Sequence, residues 1–111
     1  MELEIQAQHS EVHPRWRDII ERRTAKLGEL CGDILRLHVT LVHSTHHLRG
    51  AEEVRLLASV SNETLRVQKA EASMGDAIHA AFAALEHEIQ AFIERRRDLK
   101  RRKQPKVGGE V

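Results

Sequence analysis

The arginines and lysines towards the C-terminal end of this sequence are its most distinctive chemical groups. Residues 95 to 106 contain eight basic side chains and one acidic side chain. Residues 1 to 94 have the opposite bias, with ten Lys and Arg against fifteen Asp and Glu, a net charge of −5. Cationic side chains spaced this closely repel one another unless an anionic partner relieves the repulsion. The segment therefore predicts binding to a polyanion: RNA, DNA or an anionic membrane surface.

The eight histidines are a second group that could do chemistry, and His43, His46 and His47 fall within one short polar stretch. Zinc sites usually add a cysteine or a well-spaced acid to such histidines, and neither accompanies them here. We therefore predict a polar loop without a metal. A second hypothesis is that protonation of this loop below about pH 6.5 adds positive charge and strengthens RNA binding. An RNA affinity that stays constant between about pH 5.5 and 7.5 would contradict this hypothesis.

Other reactive arrangements are missing from the sequence. It contains no Gly-rich phosphate loop, nucleophile elbow or recognisable acid-base pair, so we predict no enzyme, catalytic residue, cofactor or small-molecule substrate. Cys31 is the only cysteine, which excludes an internal disulfide, and we predict that it is a small buried side chain near a helix end. No apolar stretch reaches the roughly 20 residues of a membrane span, and the acidic N-terminus does not resemble a signal peptide. We expect a cytoplasmic protein.

The elements that must position these groups follow from the apolar periodicity. The 111 residues include 41% hydrophobic but only 3% aromatic side chains, which predicts one domain with a modest aliphatic core. Apolar residues recur with a period of two, then near 3.6, then two, and finally near 3.6 again. The predicted order is therefore β-α-β-β-β-α, an α+β fold. We expect residues 1–103 to form this domain and residues 104–111 to be a disordered tail.

The first predicted helix carries a basic face beside its apolar face. It is expected to begin at Pro14, which the first helical turn tolerates, and to end near Gly32. Arg22 and Lys26 share the basic face because they are four residues apart. Arg23 is an exception, since its position lies inside the apolar sector, and its stem must either reach out to solvent or serve a purpose.

Four alternating segments are predicted to form one sheet. Residues 2–8 alternate as a strand with one wet face, and residues 34–43, 54–60 and 65–69 follow the same period. A hairpin turn is expected at residues 61–64, so the three later strands should be antiparallel. The side chains expected to share one face of the second strand are Leu35, Leu37, Val39 and Leu41.

The second predicted helix is long and changes character along its length. Ser73 can cap it, with Asp76 three residues later where a capping box places an acid. Its apolar stripe runs to Ile93, and a helix of that length matches the roughly 30 Å of strands with eight or nine residues. Continuing the helix to Lys103 would carry the basic residues beyond the sheet, where they could reach a partner without disturbing the core.

These patterns resemble a known bacterial family, the hibernation promoting factors and ribosome-associated inhibitor A proteins, also called ribosomal subunit interface or sigma-54 modulation proteins. The family has two helices packed on one face of a four-stranded sheet, and the resemblance spans about residues 1 to 103. The segments that carry the resemblance are Met1-Glu2-Leu3-Glu4-Ile5, Trp16-Arg17-Asp18-Ile19-Ile20, Ala25-Lys26-Leu27 and Ser73-Met74-Gly75-Asp76-Ala77-Ile78-His79.

By resemblance, the protein is expected to bind the small ribosomal subunit in the channel used by tRNA and mRNA and to block translation under stress. Lys and Arg would displace counterions from ribosomal RNA phosphates while the folded domain occupies the space that substrates need. The candidate RNA-binding residues on the first helix are Arg22, Arg23 and Lys26. Those on the second helix are Arg95, Arg96, Arg97, Lys100, Arg101, Arg102 and Lys103.

The sequence also departs from the family, and these departures keep a second hypothesis open. The family's signature at the head of the second helix begins and ends with an acid and contains an aromatic, where this chain has Ser73, His79 and Gly75. We expect a divergent short form, without the second dimerisation domain of longer members and monomeric when free. The alternative is a protein-interaction regulator on the same fold that does not bind ribosomes. On that hypothesis, the exposed side of the sheet or the acidic body meets a protein, and the basic tail only aids solubility or loose nucleic-acid attachment. A separate alternative for Arg22 and Lys26 is a solvated helix face balanced by Asp18, Glu21 and Glu29.

Overall fold

The computed structural model describes residues 1–8, 11–43 and 52–103, with side chains described up to Lys100. The chain forms the predicted β-α-β-β-β-α order. Its elements are β1 (Glu2–Ala7), α1 (Pro14–Leu30), β2 (Ile34–His43), β3 (Glu52–Val60), β4 (Glu63–Glu71) and α2 (Met74–Lys103). The predicted loop residues His46 and His47 and the predicted tail at 104–111 lie outside the described residues.

The four strands form one mixed sheet in chain order, β1-β2-β3-β4. β1 pairs with β2 in parallel, with Leu3 opposite Leu37, and a parallel pair needs a crossover connection, which α1 supplies. β3 pairs antiparallel with both β2 and β4. The predicted antiparallel arrangement of the last three strands is therefore confirmed.

Both helices cover one face of the sheet and enclose an aliphatic core. Strand residues on this face alternate with residues on the outer face, and α1 and α2 contribute apolar side chains at helical spacing. Most of these buried groups are aliphatic, as the low aromatic content predicted, and they fill the space between the helices and the sheet by close packing. The largest fully buried side chains include Ile20, Leu27, Leu37, Leu56, Ile78, Phe82, Leu85 and Ile89.

One prediction about β2 was wrong because the strand contains a bulge. The register changes between Ile34, which pairs with Val60, and Arg36, which pairs with Ser59. Leu35 is the extra residue of this bulge, and it has no partner of its own on β3. Ile34 takes the buried position, 3% exposed, whereas Leu35 is 65% exposed.

The β3–β4 hairpin is tighter than the sequence predicted. Val60 pairs directly with Glu63, so the turn contains only two residues, and both strands are longer than expected. Asn62 has a φ of 59°, in the left-handed region that asparagine tolerates better than most side chains. The short turn fixes the register of β3 against β4.

The helix ends are set by local hydrogen bonds. At the start of α1, His13 Nδ1 accepts a hydrogen bond from the Arg15 backbone N–H at 3.1 Å, with Pro14 next to it as predicted. α1 ends at Leu30, two residues before the predicted Gly32, and the Cys31 backbone N–H donates to the Leu27 carbonyl. The Cys31 side chain is buried, as predicted for a small side chain at a helix end.

Helix α2 is longer than the sheet that it covers. The Ser73 hydroxyl accepts a hydrogen bond from the Asp76 backbone N–H at 3.2 Å, which confirms the predicted cap. From Met74 the helix continues for 30 residues, or about 45 Å, whereas a nine-residue strand spans about 30 Å. Its last buried residue is Phe92, so the final turns extend past the core.

Candidate nucleic-acid interface

Two of the predicted RNA-binding residues lie on the exposed surface of α1. Arg22 and Lys26 are four residues apart and both are exposed. The Arg22 guanidinium contacts the Asp18 carboxylate on the preceding turn, with side chains 73% and 61% exposed. An ion pair this open to water contributes at most about 1 kcal/mol, so a phosphate can displace it at little cost.

Arg23 occupies a different environment, in the groove between the two helices. Its side chain is only 21% exposed. Nη1 donates to His79 Nδ1 at 3.2 Å, and Nη2 donates to Glu86 Oε2 at 3.3 Å. The guanidinium carbon also lies 5.8 Å from the centre of the Phe82 ring. Arg23 therefore joins α1 to α2, and the purpose that its position in the apolar sector required is an interhelical contact.

A notch of about 340 Å³ lies along this groove and brings together the three candidate RNA-binding residues of α1. His79 completes it from α2. Sequence reasoning noted His79 only as a departure from the family's signature, where an acid is expected, and did not place it among the site residues. The side chains that line the notch are Ile19, Arg22, Arg23, Lys26 and His79.

Arg95 and Arg96 attach the basic part of α2 to the rest of the domain. Arg95 Nη2 donates to Glu63 Oε1 at 2.8 Å, which ties the helix to the β3–β4 turn. Arg96 contacts Asp33 in the α1–β2 connection, and its guanidinium carbon lies 5.6 Å from the centre of the Phe92 ring. The two arginines reach toward different connections of the fold. These exposed ion pairs link the helix to two separate parts of the fold.

The next basic residues are exposed beyond these two attachments. Arg97 and Lys100 line a shallow cavity of about 380 Å³ together with Asp33, Phe92 and Arg96. Neither Arg97 nor Lys100 has an ion-pair partner among the described residues. The backbone at 101–103 continues as helix, and the side chains of these residues lie outside the described part.

The outer face of the sheet contrasts with the helix side because two of its arginines are paired locally with carboxylates. Arg36 Nε donates to Glu2 Oε2 at 3.1 Å. Glu53, only 3% exposed, accepts hydrogen bonds from Arg55 Nε at 2.7 Å and from Gln68 Nε2 at 2.8 Å. These carboxylates offset the arginines beside them. Arg66 on the same face has no ion pair among the described residues, whereas Lys26, Arg97 and Lys100 are three such cations on the helices. The candidate surface is therefore the helix layer and its extension.

The described residues offer neither a metal cluster nor a membrane-spanning helix. Within residues 1–8, 11–43 and 52–103, no three His, Cys, Asp or Glu side chains are gathered closely enough to hold a metal ion. His43, one of the three histidines considered above, instead contacts the Glu52 carboxylate of the neighbouring strand. No helix in the described part of the chain combines the length and apolar character needed to cross a membrane.

The fold and these surfaces define a class: a small α+β domain whose helix layer carries cations and whose last helix leaves the core as a basic rod. A family model described as sigma 54 modulation protein / S30EA ribosomal protein matches residues 3–97. The chain therefore belongs to this family of hibernation-type ribosomal subunit interface proteins, as the sequence resemblance indicated. The family consists of ribosome-associated factors, not enzymes. No curated protein matches the chain significantly at the level of sequence alone.

Solved structures share the fold despite low sequence identity. A ribosomal subunit interface protein from Coxiella burnetii superposes with a TM-score of 0.76 at 15% identity, covering 85% of this chain and 99% of that one. The N-terminal domain of Protein Y from Thermus thermophilus superposes with a TM-score of 0.72 at 20% identity, covering 83% and 99% of the two chains. At these identities the likeness establishes the architecture alone, so the role of each basic side chain must be argued from this chain.

Proposed function

We propose that this protein binds the small ribosomal subunit in the channel used by tRNA and mRNA and inhibits translation there, as a hibernation factor in stressed cells. The observation that supports this proposal most directly is the basic end of α2, which continues as helix beyond its last buried residue, Phe92. Membership of a family of ribosome-associated factors supports the ribosome as the polyanion that this helix meets. The proposed place of action is the cytoplasm, where ribosomes work.

The proposed mechanism is electrostatic and steric. Each Lys or Arg that neutralises a ribosomal RNA phosphate releases condensed counterions, and this release favours binding. The basic residues lie on one continuous helix before binding, so less conformational freedom is lost on the ribosome. The folded domain then occupies volume that tRNA and mRNA require. Inhibition by this route needs no catalytic residue and no cofactor.

Sedimentation of ribosomes through sucrose gradients tests this proposal. Replacing Arg97, Lys100, Arg101, Arg102 and Lys103 by Gln should move the protein from the small-subunit fractions to the top of the gradient. This variant retains Arg95 and Arg96, which hold the helix to the domain. The natural protein should comigrate with small subunits or whole ribosomes, and the association should weaken as salt is raised.

A matched pair of variants separates position from total charge. Arg97→Gln with Lys100→Gln removes two positive charges from the helix extension, and Arg36→Gln with Arg66→Gln removes two from the outer sheet face. Each lost phosphate contact lowers the slope of log K against log salt by about 0.7 to 0.9, so the first pair should weaken binding roughly 30-fold at about 0.1 M salt. The second pair should bind like the natural protein. Equal losses from both pairs would contradict the proposed surface.

The protein-interaction hypothesis predicts a different result in the same experiment. If the natural protein stays at the top of the gradient even at low salt, ribosome binding is excluded for this chain. Partner binding through the domain should then survive substitution of the basic residues, because the regulator would use the body of the fold. The sigma 54 modulation part of the family description makes this the outcome to pursue next.

A further inference from the structure

The contact between Arg23 and His79 depends on the protonation state of the histidine. A guanidinium group donates hydrogen bonds and accepts none, and it keeps its proton at any physiological pH. His79 Nδ1, 3.2 Å from Arg23 Nη1, must therefore be the acceptor. The imidazole in this contact is neutral, with its proton on Nε2. A protonated ring would place an N–H group and a second positive charge directly against Arg23.

Charged groups of both signs surround His79. From α1, the notch presents Arg22, Arg23 and Lys26. From α2, Asp76 lies one turn before His79, and Glu86 is bound to Arg23. Asp18 of α1 offsets part of the charge of Arg22. The hydrogen bond from Arg23 is compatible only with the neutral ring.

A phosphate in the notch would favour the protonated ring of His79 over the neutral ring. Its negative charge would attract the positive charge of a protonated His79. Protonated Nδ1 could then donate to a phosphate oxygen instead of accepting from Arg23, and Arg23 would be released to make a second charge-assisted hydrogen bond. The volume of about 340 Å³ leaves room for a phosphate group beside these side chains.

We propose that the notch between α1 and α2 binds an RNA phosphate together with a proton on His79, so that RNA binding strengthens as the pH falls. The inference rests on the proposed function, because it assigns an RNA phosphate to one part of the ribosome-binding surface. It differs from a pH response of the loop that contains His43, since it places the responsive group in the helix layer. By linkage, RNA binding and proton binding favour each other equally.

The size of the effect follows from one additional cation at the interface. A histidine changes charge between about pH 5 and 8. One extra phosphate contact steepens the slope of log K against log salt by about 0.7 for single-stranded RNA. At about 0.1 M salt, this corresponds to roughly fivefold tighter binding at low pH.

The experiment measures binding of a fluorescent oligouridylate at about pH 7.5 and pH 5.5, at fixed ionic strength. Uracil bases and phosphodiesters keep their charge over this range, so any pH response belongs to the protein. The natural protein should bind roughly fivefold more tightly at the lower pH. His79→Gln should show no such gain, because a Gln amide does not titrate. His87→Gln, an exposed histidine on the same helix, is the matched control and should behave like the natural protein.

A third variant and a second probe separate the possible causes. If substitution of His43, His46 and His47 by Gln removes the gain while His79→Gln keeps it, the loop is the responsive group and the notch proposal is wrong. A natural protein with no gain on either oligouridylate or purified small subunits also overturns it. Binding to small subunits without a pH response leaves the proposed function intact. A His79-dependent gain on oligouridylate without comigration with ribosomes supports the proton-linked notch and removes the ribosomal function.

Discussion

Single arginines in this protein have roles that depend on where their guanidinium groups lie. Arg22 and Arg23 are neighbours in sequence, but Arg22 points to solvent and Arg23 crosses to α2. Arg96 holds the helix to Asp33, whereas Arg97 has no ion-pair partner among the described side chains. Removing Arg23 would therefore disturb the packing of two helices as well as the charge of the notch. Substitution of Arg97 and Lys100 tests RNA binding more directly, because neither side chain makes an ion pair within the described part of the domain.

The bulge in β2 gives a prediction about two leucines. Leu35→Thr should change the free energy of unfolding by less than about 0.5 kcal/mol, because the side chain is already 65% exposed. Leu37→Ala should cost roughly 2 to 5 kcal/mol, because it leaves a cavity in the closed core. Urea denaturation followed by circular dichroism measures both. A large loss at Leu35 would show that this residue, and not Ile34, faces the helices.

At the scale of elements, the sequence predicted the order and type of every strand and helix, because periods of two and 3.6 survive in long segments. It misplaced Leu35, since a bulge changes which residues face inward without changing the residue types. It also began β3 too late, because Glu53 is acidic. In the fold, the Glu53 carboxylate is buried on the outer face of the sheet and accepts hydrogen bonds from Arg55 and Gln68. The local sequence pattern does not predict these partners.

The start of α2 yields a prediction about its cap. Ser73→Ala should lower the free energy of unfolding by about 1 kcal/mol, because the Asp76 backbone N–H loses its acceptor. Ser73→Asp should keep most of the stability, since a carboxylate at this position can also accept that hydrogen bond and favours the helix N-terminus. Thermal and urea unfolding of both variants provide the measurement. Equal stability of the alanine and natural proteins would mean that packing alone fixes this end of the helix.

At the scale of the whole molecule, opposite charges are segregated between the body and the rod, as the sequence already indicated. The basic run was visible because its residues are adjacent in the chain. Only part of the notch was predicted from the sequence. Arg22, Arg23 and Lys26 recur along one helix, whereas His79 joins them through the packing of α2. The attachments of Arg95 and Arg96 were not predicted either. They join residues separated by 32 and 63 positions, a distance at which sequence periodicity carries no information.

Because Cys31 is buried, the rate at which a reagent modifies its thiol reports how often the structure around it opens. This thiol, the only one in the sequence, is 7% exposed where α1 meets β2, two residues from the Asp33 contact to α2. For a small domain with about 5 kcal/mol of stability, a disulfide reagent should modify Cys31 some thousandfold more slowly in native buffer than in denaturant. Labelling at the unfolded rate in native buffer would contradict the burial. Asp33→Asn removes the ion pair with Arg96 and should raise the rate of Cys31 modification if this end of the helix layer opens locally. The natural thiol thus reports the local opening without an introduced cysteine.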